Sequence, residues 1–143
     1  MTVMQFEQKS LESLAQGEFS LFTKTVSETD VTLYAGISAD FSPVYMNKQY
    51  AEQTRFGRQA AHPMLIASMA GGAIFRLLSP SAYPQKREFE MAAPVYPGDT
   101  VTIRAEIAAI DKVKRTVEVE LEAYNQKCEL VIRGKSLENL NII

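Results

Sequence analysis

The sequence contains very few of the residues that form disulfides and metal sites. Its 143 residues include one cysteine, Cys128, and one histidine, His62. A single cysteine cannot close an internal disulfide, and a single histidine provides no ligand spacing that resembles a zinc site. We therefore expect no disulfide, no bound metal and no cofactor.

Long apolar runs and an excess of one charge are also absent. The longest apolar stretch, residues 64–74, is too short to cross a bilayer, and residues 1–20 lack the apolar core and cleavage-like end of a signal peptide. The 15 basic and 17 acidic residues are scattered, so no basic stripe for a phosphodiester backbone is present. We expect a cytoplasmic protein with no membrane and no nucleic-acid partner.

The composition is that of one folded unit. With 46% hydrophobic and 22% charged residues, the chain can bury a core. It contains no internal repeat and no linker rich in proline, glycine or serine. We predict a single domain over residues 1–143, in which residues 1–18 form an N-terminal extension.

The second half alternates apolar and polar residues, which is the pattern of strands with one buried face. Short polar turns separate these segments, so they predict an antiparallel meander. On this pattern Ala109 and Cys128 fall on inward faces, and we expect Cys128 in the core. The predicted strands are residues 85–94, 100–110, 115–124 and 128–137.

The first half predicts one short strand and three helices. Residues 19–25 are the strand, and Ser27 followed by two acidic residues predicts a helix cap, with the helix running to about Ser38. A second short helix is predicted over 47–54. The helix from His62 or Pro63 to about Leu78 is apolar on all sides, so we expect it to be enclosed. The fold class is α+β: a five- or six-stranded antiparallel sheet wrapped round one long central helix.

Three motifs carry a resemblance to a known family. Residues 37–45 read I-S-A-D-F-S-P-V-Y, residues 55–65 read R-F-G-R-Q-A-A-H-P-M-L, and residues 93–100 read A-P-V-Y-P-G-D-T. They are similar to the signatures (S/A)-G-D-x-N-P-x-H, (T/R)-x-F-G-x-x-x-A-H-G-M-L and R-P-V-x-x-G-D-T, in the right order and at the right spacing. Over about residues 19–137 the chain resembles the MaoC-like, (R)-specific enoyl-CoA hydratases.

The resemblance implies a hot-dog fold whose subunits pair edge to edge, as a homodimer or a heterodimer. It also implies a pocket at the subunit interface for the thioester of acyl-CoA or an acyl-carrier protein. In that family, an aspartate and a histidine of the D-x-N-P-x-H loop activate the water that adds across the double bond. A backbone amide at the start of the central helix helps to hold the thioester oxygen.

The catalytic residues that this resemblance implies are Asp40, Tyr45 and His62. Asp40 stands at the position of the family's aspartate, where it would activate water. Tyr45 stands where the family has histidine, and its unperturbed pKa of roughly 10 makes it a poor proton shuttle that can still donate a hydrogen bond. His62 is either a pocket base or hydrogen-bond donor, or a residue that ties down the loop before the central helix.

Four residues of the central helix are implied as substrate contacts. Pro63 replaces the glycine of the H-G-M motif and has no amide N–H, so another donor is needed, such as the amide of Met64. Ser68 either faces the pocket or bonds back to a helix carbonyl. Gly71 stands where many members have serine, and with Gly72 it also suits close packing of the helix on the sheet.

Three functions remain open at this point. The first is an enzyme acting on acyl thioesters in fatty acid metabolism, either a hydratase/dehydratase, with chemistry altered by Tyr45, or a thioesterase. The second is a non-catalytic partner subunit of a hot-dog heterodimer. The third is an acyl-CoA-binding domain without turnover. Asp40 favours the enzyme, whereas Tyr45, Pro63 and Gly71 favour the other two.

Overall fold

The computed structural model describes residues 9–78, 80 and 82–141. After a 3₁₀ turn at Leu11–Ser13, its helices and strands follow in chain order. They are β1 (Phe19–Thr25), α1 (Glu28–Ser38), α2 (Pro43–Met46), α3 (Lys48–Glu52), α4 (Pro63–Leu78), β2 (Tyr83–Met91), β3 (Thr100–Asp111), β4 (Thr116–Tyr124) and β5 (Leu130–Asn139).

The five strands form one antiparallel sheet in the order β1-β3-β4-β5-β2. Helix α4 packs against it, and the core lies between them, with Ile66, Ala70 and Ile74 of the helix buried together with Ile103 and Leu121 of the sheet. This arrangement confirms the predicted α+β hot-dog fold. None of the helices in the described part of the chain combines the length and hydropathy that crossing a bilayer demands.

The N-terminal extension contributes to the core from Leu11 onward. Leu11 and Leu14 are buried within the same cluster as the side chains of α4. Residues 1–8 of the predicted extension lie outside the described residues.

Helix α1 begins where the sequence places its cap. The Ser27 hydroxyl accepts from the Asp30 amide at 3.1 Å, and the Asp30 carboxylate accepts from the Ser27 amide at 2.9 Å. This reciprocal capping box satisfies two N-terminal amides of the helix. The helix ends at Ser38, and Ala39 takes a left-handed conformation with φ 59°, which redirects the chain into the segment that carries Asp40.

Helix α4 has the predicted bounds but not the predicted environment. Met64 and Phe75 are 42% and 50% exposed, and Ser68 is exposed as well. These residues lie at spacings of four and seven, so they form one stripe along the helix. The prediction that α4 is enclosed on every side is therefore wrong for the single chain, because one sheet covers only the opposite face.

The predictions that Ala109 and Cys128 face inward are also wrong. A register shift between Ile107 and Ala109 turns Ala109 outward and lets Ile110 pack against the core. Cys128 is exposed with φ 61°, because it belongs to the turn before β5, where its amide donates to the Asn125 carbonyl at 3.0 Å. The turn is longer than the sequence pattern indicates, so the strand begins two residues later than predicted.

The contact between β2 and β5 generates a stability prediction at Gly134. A Cβ at this position would lie 2.1 Å from the carbonyl oxygen of Glu88 and 2.9 Å from the ring of Phe89. We expect Gly134→Ala to destabilise the protein by about 1 to 3 kcal/mol, the cost of overpacking. Urea denaturation measures this change.

Gly36→Ala is the matched control, because a Cβ at Gly36 would meet nothing within 4 Å. This residue lies inside α1, where alanine is favoured over glycine by about 0.5 to 1 kcal/mol. Equal stabilities of the Gly134 variant and the unmodified protein would contradict the close approach of the two strands.

Candidate active site

Asp40 and His62 meet although 22 residues separate them in the chain. His62 Nε2 lies 2.8 Å from Asp40 Oδ2. Asp40 follows the left-handed residue at the end of α1, and His62 directly precedes α4. The pair therefore joins the end of one helix to the start of another.

The hydrogen bond at the second ring nitrogen of His62 indicates which tautomer is present. Nδ1 accepts a hydrogen bond from the Met64 amide at 3.0 Å, so it carries a lone pair. The proton of the neutral ring is then on Nε2, which donates to Asp40. His62 thus caps α4 in the manner of a helix N-cap, and the same ring donates a hydrogen bond to Asp40. The contacts in the structure are those of a hydrogen-bond donor and of a residue at the helix entry; with both nitrogens engaged, the neutral ring has no lone pair left for a base.

Asp40 is held as a carboxylate by three donors. Its Oδ1 accepts from the Ser42 amide at 3.1 Å and from the Ser42 hydroxyl, and its Oδ2 accepts from His62. The Ser42 hydroxyl, followed by His62, holds the pKa of Asp40 below its usual value. Because an ionised carboxylate offers about four acceptor positions, one remains on Oδ2. The side chain is 38% exposed, so water reaches it.

Two tyrosine rings flank the imidazole of His62. The ring centroid of Tyr45 lies 4.7 Å from that of His62, and the centroid of Tyr34 lies 5.0 Å away. Burial, followed by the charge of Asp40, raises the pKa of Tyr45, so its hydroxyl keeps its proton at neutral pH. The structure therefore brings together all three residues that the sequence names as catalytic.

Ser42 and Tyr34 are parts of this site that the sequence reasoning missed. A serine two residues after an aspartate is a signal for a local side-chain hydrogen bond, and this signal could have identified Ser42. Tyr34 lies three residues after the buried Val31, on the same side of α1. Its contact with His62 depends on the path of the chain between α1 and α4, which helical spacing does not reveal.

A cavity of about 270 Å³ lies next to Tyr45, and its described lining includes neither Asp40 nor His62. Tyr45 and Pro63 form part of its wall, and most of the remaining lining is apolar. The other described lining residues are Val44, Arg55, Phe56, Ala60, Ala61, Ile66, Met91, Ala92, Ala93, Pro94, Val95 and Ile132. Such a cavity suits a hydrocarbon group with a reactive end near Tyr45.

The other predicted substrate contacts lie elsewhere on α4. The described lining of the cavity does not include Met64, Ser68 or Gly71. The Ser68 hydroxyl donates to the Met64 carbonyl at 2.7 Å, the back-bonded alternative. Gly71 lines a separate cavity of about 90 Å³ together with Arg87 and the buried Glu138. In the part of the chain that the structure describes, no cluster of histidine, cysteine and carboxylate side chains could hold a metal.

The chain matches known proteins along most of its length. A family model described as MaoC like domain matches residues 13–127. The (R)-specific enoyl-CoA hydratase of Rhodospirillum rubrum is 35% identical over 107 residues, which are 74% of this chain and 74% of the relative. The (R)-specific enoyl-CoA hydratase of Aeromonas caviae is 29% identical over 134 residues, which are 92% of this chain and 98% of the relative.

A solved structure of one of these relatives has a fold similar to that of this chain. The (R)-hydratase structure from A. caviae matches with a TM-score of 0.86 at 26% sequence identity. The match covers 90% of this chain and 98% of that chain.

The two roles of His62 can be separated by stability measurements. His62→Ala removes the acceptor for the Met64 amide, so we expect it to lose about 1 kcal/mol of unfolding free energy, the usual cost of a lost N-cap. Asparagine is a strong capping residue, so His62→Asn should retain most of that stability. Thermal denaturation of both variants checks the difference. Equal losses in the two variants would contradict the capping role.

Proposed function

The chain belongs to the MaoC-like domain family, and on that premise we propose that it is a lyase, a hydratase/dehydratase that adds water reversibly to an α,β-unsaturated acyl thioester. The observation that carries the proposal is the hydrogen bond between Asp40 and His62, whose ring neighbour Tyr45 lines an apolar cavity. The thioester carrier is coenzyme A or an acyl-carrier protein.

Asp40 is the base in this proposal. Neutral His62 has no lone pair to offer to water, because Nδ1 accepts from the Met64 amide and Nε2 donates to Asp40. The remaining acceptor position on Asp40 Oδ2 receives a water molecule. Its lowered pKa keeps Asp40 ionised at neutral pH, and His62 orients the carboxylate.

The reaction then proceeds without any redox step. As the water oxygen forms a bond to the β-carbon, its O–H bond breaks and Asp40 takes the proton. The electrons of the carbon–carbon double bond move to the thioester oxygen, which becomes an enolate. Asp40 returns its proton to the α-carbon as the enolate collapses, giving a 3-hydroxyacyl thioester and restoring the carboxylate. Dehydration is the reverse.

The cavity takes the acyl group, with Pro63 in contact with it. Met64 and Ser68 lie on the exposed stripe of α4, and Gly71 is half-buried beside it. These residues would contact substrate only if another subunit closed over this stripe. We propose such an assembly, a homodimer or a heterodimer that shares one sheet. The supporting observations are the position of β2 at one edge of the described sheet and the exposed side chains of Tyr83 and Phe75.

Asp40→Asn tests the function directly. We expect the purified protein to hydrate crotonyl-CoA, measured by loss of the ultraviolet absorbance of the enoyl thioester. The variant should lose about 10² to 10⁴ in kcat, because its amide cannot accept the proton of water. Asp111→Asn is the matched control, since Asp111 serves an exposed turn between β3 and β4 and should leave the rate unchanged.

Other outcomes of this assay point to the other functions. Release of free thiol without hydration would identify a thioesterase. Binding of crotonyl-CoA by calorimetry without turnover would identify an acyl-CoA-binding or partner subunit. Either result would overturn the proposed hydratase.

The pH profile tests the state of Asp40. Because the Ser42 hydroxyl lowers the pKa of Asp40, the acid limb of kcat/KM should lie below the range of an ordinary aspartate. Ser42→Ala removes this donor, so the pKa rises and activity is lost at a higher pH as the solution is acidified. A limb that stays in place in Ser42→Ala would show that another group controls it.

A further inference from the structure

We propose that the hydroxyl of Tyr45 donates the hydrogen bond that holds the thioester oxygen while negative charge develops on it. The inference rests on the proposed hydratase function, and it gives Tyr45 a part that differs from that of a proton shuttle. Three lines of argument support it: the state of the amides at the start of α4, the position of Tyr45, and the movement of charge during the reaction.

The start of α4 offers no free amide to an oxyanion. Pro63 has no N–H, and the Met64 amide donates to His62 Nδ1 at 3.0 Å. The Leu65 amide donates to the His62 carbonyl at 2.9 Å. A helix normally presents several unpaired amides at this end. Here the first three positions are occupied or lack a hydrogen, so the donor must come from another part of the site.

Four amides of the cavity wall are engaged as well. Those of Ala60 and Ala61 donate to the carbonyls of Val44 and Val95, at 3.2 and 2.7 Å. The amides of Ala92 and Ala93 both donate to the Val131 carbonyl. These four amides are therefore not available to a thioester oxygen.

Tyr45 has the position that the donor needs. Tyr45 lines the cavity, and its ring contacts His62, the partner of Asp40. No described residue forms a hydrogen bond with its hydroxyl. Arg55 also lines the cavity, but its guanidinium lies 5.0 Å from the ring of Phe56, and no described contact joins it to Asp40 or His62.

The movement of charge during the reaction favours a neutral phenol as the hydrogen-bond donor. In the ground state the negative charge is on Asp40, and it helps to keep Tyr45 protonated. When Asp40 takes the proton of water, this charge disappears and a new one forms on the thioester oxygen. A donor next to both groups then interacts more strongly with the transition state than with the ground state, which is the requirement for catalysis.

Tyr45→Phe tests the inference by kinetics. We expect kcat for crotonyl-CoA hydration to fall by about 10² to 10³, with a smaller change in KM, as for the loss of one oxyanion donor. Tyr50→Phe is the matched control, because Tyr50 is an exposed tyrosine of α3 and should retain full activity. If the unmodified protein is active and depends on Asp40 but Tyr45→Phe stays within twofold, the inference is overturned and the proposed function stands.

Infrared difference spectroscopy with bound butyryl-CoA provides a readout that does not depend on turnover. A hydrogen bond from Tyr45 lowers the stretching frequency of the thioester carbonyl, so Tyr45→Phe should shift the band toward its frequency in an apolar solvent. Tyr50→Phe should leave the band in place. A band that moves in Arg55→Gln and not in Tyr45→Phe would assign the donor to Arg55 and overturn the inference.

Discussion

The site depends on one imidazole ring that is bound at both of its nitrogens. Through Nδ1, His62 caps the first turn of α4, and through Nε2 it holds the carboxylate that follows α1. The start of the core helix and the orientation of Asp40 are thus fixed by the same side chain. Because the two bonds set one tautomer, the ring acts as a donor to Asp40 and leaves the acceptance of a proton to the carboxylate.

The surroundings of His62 move the pKa values of its neighbours Asp40 and Tyr45 in opposite directions. Hydrogen bonds from Ser42 and His62 lower the pKa of Asp40, whereas burial and the charge of Asp40 raise the pKa of Tyr45. At neutral pH one group is therefore an anion and the other a neutral donor. Two ionisable groups whose pKa values are moved apart are a common basis for dividing acid and base roles in a site.

Sequence patterns predicted the regular elements better than the contacts between them. The cap at Ser27 and both ends of α4 follow from local chemistry, so they could be read from a few neighbouring residues. The hydrogen bond between Asp40 and His62 depends on how two short helices and a loop fold back, which no periodicity reports. The alternating pattern also gave the wrong face for Ala109, because a β-bulge interrupts the alternation of inward and outward side chains along β3.

The exposed position of Cys128 has a practical consequence for spectroscopy. Because the sequence contains one cysteine and its side chain is exposed, a thiol-reactive fluorophore or spin label would attach at a single place. That place is the turn before β5, whose Gln126 side chain donates to the Asp99 carboxylate at 2.8 Å. Asp99 also accepts from the Val26 amide through its carbonyl, beside the cap of α1. A label on the unmodified chain would therefore report on the segment that leads into the helix preceding Asp40.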